Sequence, residues 1–171
     1  GDSGERFLQV AAGSQIQARD SGEAVFMTAK SGNGSFDYRG AANNTGTATI
    51  ISTSAASNYT AETYTLAFVQ ADAADPVTYT VTGSASGQVA AGNYTVGAAI
   101  TFAGAELRLE GAPAHGDSFT ITSSSNQDVF TTVKDLASTL ATATGTEAND
   151  ARINNEASRG LTNLDNAIDH I

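Results

Sequence analysis

Residues 77–82 read Val-Thr-Tyr-Thr-Val-Thr, and their alternation decides how the middle of the chain folds. In an extended strand successive side chains point to opposite faces, so Val77, Tyr79 and Val81 share one side and Thr78, Thr80 and Thr82 the other. One apolar and one wet face imply an antiparallel sheet covered on a single side. Similar runs lie around it: TATIIST (47–53), YTLAFV (64–69), NYTV (93–96), AITF (99–102), AELRLE (105–110) and SFTIT (118–122). They are rich in the β-branched and aromatic residues that suit a pleated surface. Turn groups separate them, namely GSASG (83–87), AAGN (90–93), FAG (102–104) and GAPAHGD (111–117). The spacing predicts an all-β module, a sandwich or small barrel, over residues 31–122. The loop signal SGNGS (31–35) marks its start.

On the N-terminal side, RFLQV (6–10) and SQIQAR (14–19) flank Ala11-Ala12-Gly13 and predict a hairpin within residues 5–30. Asp20 or Ser21 is expected to cap a short helical turn in DSGEAVFM (20–27). Beyond residue 125 glycine becomes rare and the apolar spacing changes to three and four. Ser125 or Asn126 is the expected cap of a first helix, with Asp128 in its first turn and a stripe of Val129, Val133, Leu136 and Leu140. Gly145 breaks it. Thr146 or Asn149 caps a second helix from Glu147 onward. Its seam is Ile153, Ala157, Leu161, Leu164, Ile168 and Ile171, close to a 3.5-residue repeat. Gly160 inside it costs about 1 kcal/mol relative to Ala, or permits close helix contact. The predicted fold is α+β: an antiparallel β-rich domain (31–122) inserted into a helical and β-hairpin base (1–30 and 123–171).

The seam runs to the last residue without a Gly, Asn or Pro stop after Ile168, and GDSGERFLQV has neither an initiator Met nor a signal-peptide pattern. A fragment of a longer protein is the expectation, with Ile168 and Ile171 matched by a helix from elsewhere in it.

The 8 basic and 18 acidic residues leave a net charge of −10. That balance argues against a grip on nucleic acid or anionic lipid, both of which need clustered cations. No run approaches the roughly 20 apolar residues of a membrane span. With no cysteine there is no disulfide framework, thiolate metal site or thiol nucleophile. Only 15% of residues are charged, so the polar surface comes from Ser, Thr, Asn, Gln and Gly. No internal repeat is evident.

Candidate chemistry is sparse. His115, Asp117 and Ser118 lie too close together in sequence to adopt triad geometry and read as a plain turn, with Asp117 bonding its own backbone. His170 falls beside the seam and reads as a surface or interface residue. GSASG has Ala85 where a nucleophile elbow needs Ser. GNGSFDYRG does not complete a dinucleotide fingerprint. Asp72–Asp75 (DAAD) lacks the ligand count of a calcium loop and reads as a solvated turn. Asp165 and Asp169 lie four apart on a wet helix face, with nothing apolar around them to make an acid–base pair. The sequons at Asn33, Asn43, Asn58 and Asn93 are expected by chance in so Asn-, Ser- and Thr-rich a chain. No catalytic residue, cofactor or metal is expected.

Several stretches, in this order, resemble the flagellar axial proteins and most closely their hook–filament junction members. These are GDSGERFLQVAAGSQIQARDSGEAVF, then YTVTGSASGQVAAGNYTVGAAITFAGAELRLEGAPAHGDSFTI, then NQDVFTTVKDLASTLAT and LTNLDNAIDHI. The resemblance implies an exported, extracellular, non-enzymatic subunit that assembles with hook-associated protein 1, flagellin and copies of itself. An export chaperone is a possible further partner. It also implies that terminal helices of the family are missing here, so this fragment is expected to be monomeric. A piece of flagellin or of hook-associated protein 1 is an alternative, as is a secreted adhesin-like β module on a helical stalk.

The seam makes a stability prediction. Leu164→Asp should cost several kcal/mol by placing an unpaired charge in an apolar stripe, whereas Asp165→Ala should change little. Thermal melts in which the two variants behave alike would show that the helix phase is misread.

Overall fold

The computed structural model describes Gly4 and residues 6–19, 26–142 and 145–169. Asp20, Ser21, His170 and Ile171 lie outside the described residues.

β1 (Arg6–Ala11) and β2 (Ser14–Arg19) form the expected antiparallel hairpin, with Leu8 opposite Ile16. The rest of the strands are β3 (Ala29–Lys30), β4 (Phe36–Gly40), β5 (Thr49–Ala55), β6 (Tyr64–Val69), β7 (Thr78–Gly83), β8 (Gly87–Asn93), β9 (Ala99–Phe102), β10 (Ala105–Glu110), β11 (Ser118–Ser123) and β12 (Asn126–Gln127). Two helices follow, α1 (Val129–Leu140) and α2 (Glu147–Asp169). A five-stranded sheet of order β4-β11-β6-β7-β8 and a three-stranded sheet of order β5-β10-β9 are antiparallel throughout.

These two sheets pack face to face as a sandwich, because each strand buries alternate residues. Tyr64, Leu66 and Phe68 of β6 point inward, while Thr65 and Val69 face out. Leu107 and Leu109 of β10 and Ile100 and Phe102 of β9 come from the opposite sheet into the same core. The Tyr64 and Phe102 rings meet edge-on across the interface, centroids 5.0 Å apart. Val81 of the opening stretch is fully buried, with Thr78 and Thr82 exposed beside it.

Four strands depart from the sequence reading. β3, β4 and β12 were not among the expected runs, and β8 lies at 87–93 instead of 93–96. Residues 87–93, GQVAAGN, contain two glycines and two alanines, so propensity under-reads them. Their pairing follows from the tight turn at 84–86, which sets Gly87 opposite Gly83 and lays the segment along β7, where Val89 and Ala90 pack against the core. Tyr94 then follows the strand and pins its end. Its N–H donates to the Val77 carbonyl at 2.8 Å and its hydroxyl to that of Gly111 at 2.9 Å.

Of the helix caps, that of α1 differs from the expectation and that of α2 is one of the two expected. Ser125 and Asn126 do not cap α1, because the chain stays extended to Gln127. There β12 pairs with β3, and the Ser31 N–H donates to the Ser125 carbonyl at 3.0 Å. Asp128 is the cap, accepting from the Phe130 N–H at 2.9 Å and the Thr131 hydroxyl at 2.8 Å. Thr146 caps α2, its hydroxyl oxygen accepting from the Asn149 N–H at 3.3 Å.

Glu62 holds the β7–β8 turn. Its carboxylate accepts from the Ser86 hydroxyl, from the Ala85 N–H at 2.6 Å and from the Ser86 N–H at 3.3 Å. These bonds, that of the Ser86 hydroxyl foremost, favour the charged form and lower the Glu62 pKa. A depressed native pKa stabilises the fold above the ordinary carboxylate range, and the contribution is lost as pH falls through the native value. The Ala85 amide proton resonance should therefore titrate with a midpoint below that of a free glutamate. The same titration persisting in Glu62→Gln would rule out this origin.

Candidate functional site

Each sheet of the sandwich ends in an open edge on the same side, β4 in one and β5 in the other, and α2 packs against both. An uncovered strand edge presents unpaired N–H and C=O groups and invites pairing with another chain. α2 covers them with a stripe of polar side chains at positions 155, 159, 163 and 166, spaced four, four and three apart and hence on one helix face.

Asn155 acts as a substitute strand residue. Its Oδ1 accepts from the Ile50 N–H at 2.8 Å and its Nδ2 donates to the Ala48 carbonyl at 3.0 Å, so one amide bonds a main-chain donor and a main-chain acceptor at the start of the β5 edge. Asn163 Oδ1 accepts from the Gly32 N–H at 2.7 Å. Asn166 Nδ2 donates to the carbonyls of Gly32 at 2.7 Å and Lys30 at 2.9 Å. Gly32 has φ +61, and a Cβ there would sit 2.1 Å from the Phe36 carbonyl oxygen, so only glycine lets the chain turn into the grip. Arg159 adds an ionic bond, reaching Glu156 at 2.8 Å and Asp37 of β4 at 3.2 Å. Burial works against its charge, but the hydrogen bonds and charges of Glu156 and Asp37 outweigh it and raise its pKa.

Helix α1 packs on α2. A Cβ at Gly160 would lie 3.4 Å from the Leu136 side chain, so this glycine marks the close approach of the two helices. The buried residues of α2 are Ala151, Asn155, Gly160, Asn163 and Ala167, and none of them belongs to the apolar seam. The seam lies on another face. Ile153, Ala157 and Leu164 are half-buried, while Leu161 and Ile168 are 57% and 67% exposed. On α1, Val129 and Leu136 are half-buried, and Val133 and Leu140 are exposed. Phe130, which sequence reasoning passed over, is 66% exposed and its ring stacks at a tilt on Phe26, centroids 5.4 Å apart. Leu8, Val10 and Ile16 of the hairpin are exposed as well.

The polar motifs prove structural. Asp117 is buried, and it bonds well beyond its own turn. Its carboxylate accepts from the N–H groups of Thr45 at 2.8 Å, Ala114 at 2.9 Å and Gly46 at 3.0 Å, joining two loops. His115 is exposed, with Nδ1 3.3 Å from the Gln70 N–H. Asp165 and Asp169 are exposed. The Asn33 side chain caps the turn into β4 through the Phe36 N–H at 2.9 Å. Among the described residues no group of three or more acidic or histidine side chains is placed to hold a metal ion, and no helix is long and apolar enough to cross a membrane. The asparagine stripe was legible in principle, since its spacing is as helical as that of the apolar seam.

No protein-family model matches the sequence, and no curated protein matches it. Solved structures do. The chain is 32% identical to the flagellar junction protein FlgL from Legionella pneumophila, with a TM-score of 0.89, over 99% of this chain and 55% of that one. It is 32% identical to FlgL from Xanthomonas campestris, with a TM-score of 0.87, over 99% of this chain and 54% of that one. A second Legionella pneumophila structure, described as flagellar hook associated protein-3, is 31% identical with a TM-score of 0.89. The chain thus spans just over half the length of the solved relatives it matches.

Asn155→Ala should cost about 2 kcal/mol in urea unfolding, because it strands a buried donor and a buried acceptor. It should also speed hydrogen exchange at the Ile50 amide. Unchanged protection at Ile50 would show that Asn155 does not close the β5 edge.

Proposed function

We propose that this chain, which has the fold of the flagellar hook–filament junction proteins over 99% of its length, is part of a structural subunit that joins the hook to the flagellin filament. The observation that carries the reading is the split personality of α2. Its polar face is spent on holding the sandwich, and its apolar seam is only half covered, with Leu161 and Ile168 exposed. Large aliphatic side chains at Leu161, Ile168, Val133 and Leu140 gain little where they stand. They suit a helix from the remainder of the subunit, since the relatives carry nearly as much chain again beyond the matched part. In this reading Val129, Val133, Leu136, Leu140, Ile153, Ala157, Leu161, Leu164, Ile168 and Ile171 form the assembly seam. The hairpin's Leu8, Val10 and Ile16 add to the same kind of surface.

The subunit's work is binding and load transfer, without a reaction. Its partners are other flagellar axial components, among them hook-associated protein 1, flagellin and copies of itself. It is a component of the bacterial flagellum, exported and extracellular. The sandwich stands outward from the helical part, held by the α2 asparagines.

Immunogold labelling of flagella with an antibody to residues 31–122 tests the assignment. Label confined to the boundary between hook and filament is expected. Label along the whole filament would instead make the protein a flagellin, and label only on the cell body would favour an adhesin. The seam has its own check. Leu161→Asp with Ile168→Asp should leave the melt of this chain within about 0.5 kcal/mol of the parent, both sites being exposed, yet abolish assembly of the whole subunit.

A further inference from the structure

Of the chain's 8 basic residues, Arg39, Arg152 and Arg159 line one cleft of about 310 Å³, where the end of β4 meets α1 and α2. Arg159 is committed to Glu156 and Asp37. The other two are not matched by acids. Arg39 is exposed and its side chain has no partner among the described residues. Arg152 reaches only neutral oxygens, Asn149 Oδ1 at 2.6 Å and Thr142 Oγ1 at 3.2 Å. Asp135 also lines the cleft, but among the described residues it forms no ion pair with any of the three. The lining holds three arginines against the carboxylates of Asp135 and Glu156, a small positive excess, and the guanidinium groups of Arg39 and Arg152, in no ion pair, can receive an anion.

We propose that this cleft receives the Asp72–Asp75 turn of a second copy of the chain. The inference rests on the reading that copies stand side by side in the flagellum. The turn is prepared for the role. The Asp75 N–H donates to the Asp72 carbonyl at 2.9 Å, and Gln70 Nε2 donates to the Asp75 carbonyl at 2.8 Å, so the loop is ordered. Residues 71–76 are all exposed, and neither aspartate side chain has a partner among the described residues. Two carboxylates thus match two guanidiniums, and Arg prefers planar carboxylate partners.

Strand register supplies the geometry. Gly40 of β4 pairs with Phe119 of β11, which pairs with Leu66 of β6. The ends of β4 and β6 therefore lie at the same end of the sheet. The cleft sits beyond the β4 edge, and the turn starts from β6, two strands across or about 10 Å. The cleft and the turn are different surfaces of one chain, so the contact is heterologous, the kind that repeats from copy to copy and closes into a ring where the rotation allows.

The chain contains no cysteine, so disulfide trapping reads the contact cleanly. Ala42→Cys in the cleft and Ala74→Cys on the turn are made in separate preparations of this chain. They are mixed at physiological ionic strength, which screens the repulsion between two acidic chains. The mixed disulfide should form several-fold faster than that between Ala42→Cys and Val96→Cys, a control at another exposed loop site. Adding Arg39→Glu and Arg152→Glu to the first partner should abolish the advantage. Asp72→Lys with Asp75→Lys on the second should do the same alone, and should restore trapping when combined with the arginine reversals. Equal rates with the Val96→Cys control, or trapping indifferent to these reversals, would overturn the contact. Boundary labelling of flagella would in that case still stand, so the two failures are separable.

Discussion

A single amide, that of Asn155, answers the main structural problem of the chain. A sandwich of five and three strands leaves edges open, and main-chain groups on an edge must find partners or solvent. The amide offers a donor and an acceptor in one plane, as a neighbouring strand would, and so lets a helix pair with the start of the β5 edge. Asn163 and Asn166 repeat the device about two and three turns further on, against the turn at Gly32. Because this face of α2 is spent on hydrogen bonds, its apolar residues must lie elsewhere. The exposed seam is thus a consequence of how the sandwich is held.

The strands with side-chain alternation were readable from the sequence, VTYTVT and YTLAFV above all, since burial of every second residue is written in residue type. The α+β class and the hairpin at 6–19 were readable for the same reason. β8 was not, because glycine and alanine carry no facial signal and its register comes from the turn before it. The α1 cap was misplaced because Ser125 and Asn126 are drawn into a ladder with residues nearly a hundred positions away, a competitor that local capping rules do not see. Asp117 looked like a local turn residue, yet it gathers amides from two loops. In the candidate site the apolar seam was evident and the polar stripe beside it was not. An asparagine at helical spacing carries no sign in the sequence of whether its amide meets a strand edge or water.

The sparse charge of the chain gives its few ionic contacts definition. With 8 cations in 171 residues, the settings of Arg39, Arg108, Arg152 and Arg159 stand out one by one. Arg108 lies on the sandwich surface beside Glu106, an exposed pair of the kind that adds little. Arg159 is more enclosed and ties β4 to α2, where separating the partners would leave acids half-buried. Arg39 and Arg152 remain available.

One pairing sets how the sandwich is carried. β3 and β12 run antiparallel with Ala29 opposite Gln127, so the chain enters and leaves the sandwich along adjacent strands about 5 Å apart. Seen from the helices, residues 31–125 occupy the place of a hairpin loop. A loop with neighbouring ends can be lengthened, shortened or exchanged for another fold without moving what flanks it. The sandwich is thus attached twice, by the connecting ladder and by the α2 side chains, so a change in its size leaves the helices in place only where Gly32, Asp37 and Ile50 keep their positions.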